Sequence, residues 1–127
     1  RRATTLRLPR TDPRYGIPAG DDAPTTTSYT DVEPSHWYSS AAEMYRAFTE
    51  LGRVWAAVGA ASGRGDVAAH GEQLLSLAPH LFDDLHASLN RTVNTTASAG
   101  HRCYPDSAEG VSGCPFRAFP ELFYSGA

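Results

Sequence analysis

The sequence predicts a mainly α protein built on one antiparallel helical hairpin, spanning about 35–62 and 66–90. Three observations carry that reading. An apolar stripe recurs at alternating steps of three and four from Trp37 to Val58. A second stripe follows from Val67 to Leu89, and only Gly63-Arg64-Gly65-Asp66 stands between them. Two periodic segments with so short a connection must lie side by side and run opposite ways.

In the first helix the stripe is Trp37, Ala41, Met44/Tyr45, Phe48, Leu51, Trp55 and Val58, widened by Tyr38, Ala42 and Val54. It holds a 3.6-residue period for about six turns, as expected of a helix that buries one face. Ser35, after Pro34, is the expected N-cap. Glu43, Arg46, Thr49, Glu50 and Arg53 form the polar face, where Glu43–Arg46 and Glu50–Arg53 are spaced to pair. Gly59 is expected to loosen the helix, and Gly63 and Gly65 to stop it. Asp66 then reads as the N-cap of the second helix, whose buried side is Val67, Leu74, Ala78, Leu81, Leu85 and Leu89. Pro79 falls inside this pattern, lacks an amide donor, and predicts a kink or restart near Leu77 or Ala78.

Residues 1–34 hold Pro9, Pro13, Pro18, Pro24 and Pro34 and sustain no period, so they read as an extended arm. Leu6, Leu8, Tyr15, Ile17 and Tyr29 would anchor that arm on another surface. Residues 91–127 read as a third, irregular segment. It ends in Phe116, Phe119, Leu122, Phe123 and Tyr124, a density of apolar side chains that requires burial. Two helices offer little area for it, so both ends read as cut from something longer, or as packed on neighbours.

At 127 residues the chain is long enough for one modest domain. A net charge of −3 argues against nucleic-acid or anionic-membrane partners. No apolar run approaches the roughly 18 residues of a membrane span. No charged-then-apolar leader opens the sequence, so any secretion signal is expected to have been removed.

Asn90-Arg91-Thr92 and Asn94-Thr95-Thr96 are two glycosylation sequons. Cys103 and Cys114 are the only cysteines, and a bridge across that Pro/Ser/Gly-rich loop would contribute up to roughly 3 kcal/mol by chain entropy. An even cysteine count with clustered sequons favours a secreted, extracellular glycoprotein.

Tyr15-Gly16-Ile17-Pro18-Ala19-Gly20-Asp21-Asp22, a loop ending in His36-Trp37-Tyr38, and a helix running to Leu51-Gly52-Arg53 follow one another in this order. Asp66-Val67-Ala68-Ala69-His70-Gly71 opens the second helix and Leu85-His86-Ala87-Ser88-Leu89-Asn90 closes it. Over residues 15–92 this order resembles a hairpin of the (α/α)6-toroid glycosidases. In that family the loops entering the inner helices line a sugar-binding cleft, with carboxylates as acid and base. The resemblance implies candidate catalytic carboxylates at Asp21, Asp22 and Glu33, and substrate-binding roles for His36, Trp37 and Tyr38.

The residues themselves allow plainer roles. Glycoside hydrolysis needs two carboxylates about 5 to 9.5 Å apart across the scissile bond. Adjacent Asp21 and Asp22 diverge, so a partner would be Glu33 or another chain's residue; a solvated turn explains them equally. Trp37 fits the core stripe, and His36 and Tyr38 suit surface or capping positions. His70, His80, His86 and His101 lack metal-ligand spacing, so no metal and no cofactor is expected. No G-x-S-x-G occurs. The Arg64-Gly65-Asp66 tripeptide is explained by helix stop and cap.

One hairpin of six cannot close a toroid. The leading expectation is therefore a portion of a secreted carbohydrate-active glycoprotein, not catalytic alone. The alternative is a non-catalytic extracellular subunit that assembles into an oligomer or fibre through its arm and aromatic tail. The expected partners are carbohydrate or neighbouring protein subunits.

Overall fold

The computed structural model describes residues 5–20, 35–93, 105 and 107–109. Two helices dominate them: α1, Tyr38–Ser62, and α2, Gly65–Val93. They form an antiparallel pair, because each step forward along α1 meets a step backward along α2. Gly59 faces Ala68, Ala56 faces Gly71, Gly52 faces Leu75, and Tyr45 faces Phe82.

α1 begins at Tyr38, three residues later than Ser35 predicts. Trp37 holds the N-cap position in an extended conformation (φ −72°, ψ 134°), without a side-chain cap. Residues 35–37 are occupied by pairing with two other segments. Gly20 N–H donates to the Ser35 carbonyl at 3.0 Å, Ala108 N–H donates to the His36 carbonyl at 3.0 Å, and Trp37 bridges to Ser107. Chain already committed to extended hydrogen bonding on both sides cannot also wind into a helical turn.

The connection behaves as its glycine suggests. Gly63 takes a left-handed φ of 69°, and Arg64 N–H reaches back to the Gly59 carbonyl at 2.9 Å. This is the paired closure of a Schellman motif. The next helix is capped differently from expectation. Val67 and Ala68 N–H both donate to the Arg64 carbonyl at 3.1 Å, so Arg64, not Asp66, stands at the start of α2. Asp66 lies in the first turn, where its carboxylate meets the Arg64 guanidinium at 2.8 Å. That guanidinium holds the Asp66 carboxyl below the usual carboxylate range.

α2 runs through Pro79 without restarting. The missing amide removes the donor to the Leu75 carbonyl, yet packing on α1 keeps the helix continuous on both sides. The pairing on the polar face also differs. Arg46 Nε donates to Glu50 Oε1 at 3.0 Å, an i,i+4 pair, rather than to Glu43.

The largest departure is in which face meets the partner. Gly52 and Gly59 are the buried residues of α1's second half, while Leu51 is 45 % exposed, Trp55 40 %, and Val54 and Val58 54 %. A Cβ on Gly59 would lie 2.3 Å from the Ala68 backbone nitrogen. One on Gly71 would lie 2.3 Å from the Ala56 nitrogen and 2.7 Å from the Gly52 carbonyl oxygen. The helices touch backbone to backbone through Gly52, Ala56, Gly59, Ala68 and Gly71. Gly59 does not loosen α1; it brings α2 against it. That contact turns the apolar stripe of Leu51, Trp55 and Val58 away from the seam and toward solvent.

The main core lies at the opposite end of the pair. Ile17, Tyr38, Ala41, Ala42, Leu85, Leu89 and Ala108 form one cluster of buried residues. Burying a side chain such as Ile17 contributes roughly 1.5–3 kcal/mol. On α2 the expected Ala78, Leu81, Leu85 and Leu89 are buried, and Val67 and Leu74 are only half-buried.

Residues 5–20 are a succession of turns rather than an extended strand. Leu8 N–H bonds to the Thr5 carbonyl, Asp12 to Pro9, Tyr15 to Asp12 and Ile17 to Arg14, at 2.9–3.1 Å. Ile17 is this segment's fully buried anchor; Leu6 stays exposed, and Leu8 and Tyr15 are half-buried. Tyr29 and the aromatic residues 116–124 lie outside the described residues. No helix among the described residues is long and apolar enough to cross a membrane.

Candidate functional site

Among the described residues, His36 is the candidate site residue with other ionisable groups around it. Its position follows from the extended pairing of residues 35–37, which turns the imidazole toward the 107–109 segment. Its backbone N–H donates to Glu109 Oε2 at 3.2 Å, and its Nδ1 contacts Glu109 Oε1. Both side chains are mostly covered, His36 at 14 % and Glu109 at 26 % exposure. Burial pushes the Glu109 carboxyl up, but hydrogen bonds from the His36 ring and backbone outweigh it and hold the group below its ordinary range.

A second pair lies within electrostatic reach. Asp12 Oδ1 accepts from Arg14 N–H at 2.9 Å and from its Nε at 3.0 Å, and Oδ2 accepts from Nη2 at 2.7 Å. Arg14 pulls the Asp12 carboxyl down to about 2, and His36 adds a smaller favourable effect. Glu109 likewise favours the charged Arg14. Asp12, Arg14, His36 and Glu109 thus form an alternating polar cluster beneath the start of α1.

An ionised Glu109 accepts from Nδ1–H, which leaves Nε2 as the ring's remaining polar atom. Such a ring can exchange a proton or hydrogen-bond a ligand hydroxyl. No group of three or more His, Cys, Asp or Glu able to hold a metal occurs among the described residues.

Tyr38 is not part of that surface. It is fully buried, with its hydroxyl 2.9 Å from both Ser88 Oγ and Thr92 Oγ1. Ser88 also donates to the Pro13 carbonyl, tying the N-terminal turns to α2. Burial pushes the Tyr38 phenol up, against the two hydroxyl bonds. Its predicted sugar-contacting role therefore has no exposed surface to act through. Trp37 is half-buried beside Ser107 and precedes the helix rather than lying on its stripe.

Asp21, Asp22 and Glu33 lie outside the described residues, as do Asn94, Cys103 and Cys114. The residues flanking the first three, Gly20 and Ser35, are joined to each other next to His36. Asn90 is exposed near the end of α2, while Thr92 of its sequon is buried in the Tyr38 contact.

Glu109, Asp12 and Arg14 were not candidates from the sequence. Glu109 stands 73 residues from His36 in an irregular stretch, and no local pattern relates the two. The Asp-Pro-Arg order at 12–14 does suit a side chain–backbone turn, a signal available in the sequence.

No family model, curated protein or solved structure matches this chain. Fold and site together define an α-helical hairpin protein with a polar cluster at the base of α1.

Proposed function

We propose that this chain is one hairpin unit of a larger, secreted, carbohydrate-active glycoprotein of the (α/α)6-toroid kind, and is not catalytic alone. The observation that carries the need for neighbours is the open stripe of Leu51, Val54, Trp55 and Val58 on α1. The hairpin's own seam is closed by glycines, which leaves this stripe 40–54 % exposed. Apolar faces of that kind belong against another element. In a ring of hairpins each unit packs laterally on the next, which supplies that element. The carbohydrate part rests on the resemblance over residues 15–92, with His36 at the edge of the site and Asp21, Asp22 and Glu33 preceding it in the sequence.

The same stripe supports a second reading, an extracellular structural subunit whose own copies cover it. Intact mass and particle size of the native material, before and after deglycosylation, separate the two. A single longer polypeptide carrying further hairpins, with oligosaccharide-induced NMR shifts at His36, is the expected result. A native particle built only of 127-residue chains would overturn the toroid reading in favour of self-assembly. A longer polypeptide whose His36 signals ignore a broad oligosaccharide panel would overturn the carbohydrate reading.

A further inference from the structure

Midway along the hairpin, away from His36, a cleft of about 280 Å³ opens between the helices. Tyr45 and Thr49 of α1 line it from one side, and Leu75, Pro79, Phe82 and Asp83 of α2 from the other. The Tyr45 and Phe82 rings stand 5.2 Å apart, inclined at 50°, and make an open aromatic corner. His86 stacks on Phe82 at 4.2 Å and fixes that ring from beyond the cleft. The volume lies just under the range of drug-sized sites and suits a fragment-sized molecule.

Apart from the Tyr45 hydroxyl, which can donate or accept, the polar groups on its walls are biased toward accepting hydrogen bonds. Asp83 is an exposed carboxylate. Thr49 spends its proton on the Tyr45 carbonyl at 2.9 Å, so its oxygen is left with acceptor capacity. The Leu75 carbonyl has lost its in-helix donor, because the residue four positions on is Pro79. Both of those residues line the cleft, and among the described residues no Lys, Arg or His side chain does. The Asp83 carboxylate favours an occupant that brings donors and positive charge, together with an apolar body for the rings. Aromatic faces attract cations through the ring quadrupole, most strongly where water is partly excluded.

We infer that this cleft is a binding site for a small organic ammonium, a protonated amine on an aromatic or aliphatic stem. The stem lies in the Tyr45–Phe82 corner, and the ammonium donates to Asp83. The site is independent of the polar cluster at His36, so its fate and that of the proposed function are separable.

The test is an NMR titration of the intact chain with three probes of one shape: phenethylammonium, 2-phenylethanol and phenylacetate. Signals of Tyr45, Phe82 and Asp83 should shift with the amine at low-millimolar concentration. The alcohol should bind at least about tenfold more weakly, and the carboxylate not measurably, a difference of about 1.4 kcal/mol or more. Asp83→Asn, an exposed change on a helix surface, should abolish the preference for amine over alcohol while leaving the circular dichroism unchanged. Equal binding of amine and alcohol would overturn the assignment. So would an unchanged preference in Asp83→Asn, or no shift at Tyr45 and Phe82 with any probe.

Discussion

Tyr38 and Thr92 are 54 positions apart in sequence, and their hydroxyl oxygens lie 2.9 Å apart in the core. With Ser88 they join the first turn of α1 to the last turns of α2, and through Pro13 to the N-terminal turns. The Tyr38 hydroxyl bonds both of the others, so deleting it leaves each short of one partner. Tyr38→Phe should lower stability by about 1 kcal/mol, the net value of a buried hydrogen bond. Thermal unfolding by circular dichroism reads this as a fall in Tm with unchanged helicity. An unaltered Tm would mean that the phenol makes no net contribution.

The glycines differ sharply in what they tolerate. Gly59→Ala or Gly71→Ala places a methyl group within 2.3 Å of the facing backbone, where no side chain can move aside. Overpacking of this kind costs typically 1–3 kcal/mol or more. Gly63→Ala meets no atom within 4 Å, so its cost is only the left-handed φ, about 1 kcal/mol. Gly65→Ala has open space and a helical position, and should be neutral or slightly stabilising. Denaturant midpoints should follow that order; a harmless Gly59→Ala would contradict the backbone contact.

Pro79→Ala should raise stability. The proline is exposed, so little packing is lost, and the alanine amide restores a donor for the Leu75 carbonyl. Proline in a helix interior costs roughly 3 kcal/mol relative to alanine, partly offset by the freer unfolded chain. A gain of about 1–2 kcal/mol is expected, read as a higher Tm.

Acid should loosen the base of the hairpin before the rest. The folded-state carboxyls of Asp12 and Glu109 both titrate below their ordinary values, Asp12 at about 2. Depressed carboxyls stabilise the fold above their unfolded pKa values and lose that contribution as pH falls through the folded ones. The loss should therefore begin below about pH 4.5 and be complete only once the pH falls below about 2. The Asp12–Arg14 pair reaches the surface, so its share is under about 1 kcal/mol. In His36→Gln the burial effect on Glu109 is less opposed, and its carboxyl should titrate higher. NMR titration of the Glu109 side chain measures this directly; an unmoved midpoint would remove His36 as the cause.

Val54→Glu with Val58→Glu should leave monomer stability within about 0.5 kcal/mol, since both positions are 54 % exposed. The same pair should abolish association with a neighbouring hairpin or a second copy. Sedimentation velocity across a concentration series separates the two effects.

The periodic segments were legible because the 3.6-residue repeat persists over many turns, and Gly63 marked the break. The seam was not. Hydrophobic period identifies an apolar face, but glycines and alanines carry almost no weight in it. Here those small residues choose the contacting side, because they let two backbones meet where Trp55 and Leu51 would hold them apart. Ser35 was a sound cap by residue type, yet Gly20 and Ala108 claim the backbone around it. Of the polar cluster beneath α1, the sequence singled out only His36. Its partner Glu109 arrives from a segment without periodicity, and no local signal encodes a contact of that range.

The glycine seam has a consequence for recognition. Helices that meet through side chains can slide or roll as rotamers change, whereas backbones in direct contact have little freedom to do either. The outer half of α1 is therefore held stiff without a large core beneath it. A rigid face loses little motional freedom when a partner lands on it, so more of its contact energy remains as affinity. The residues with the smallest side chains thus set how firmly Leu51, Trp55 and Val58 can be gripped.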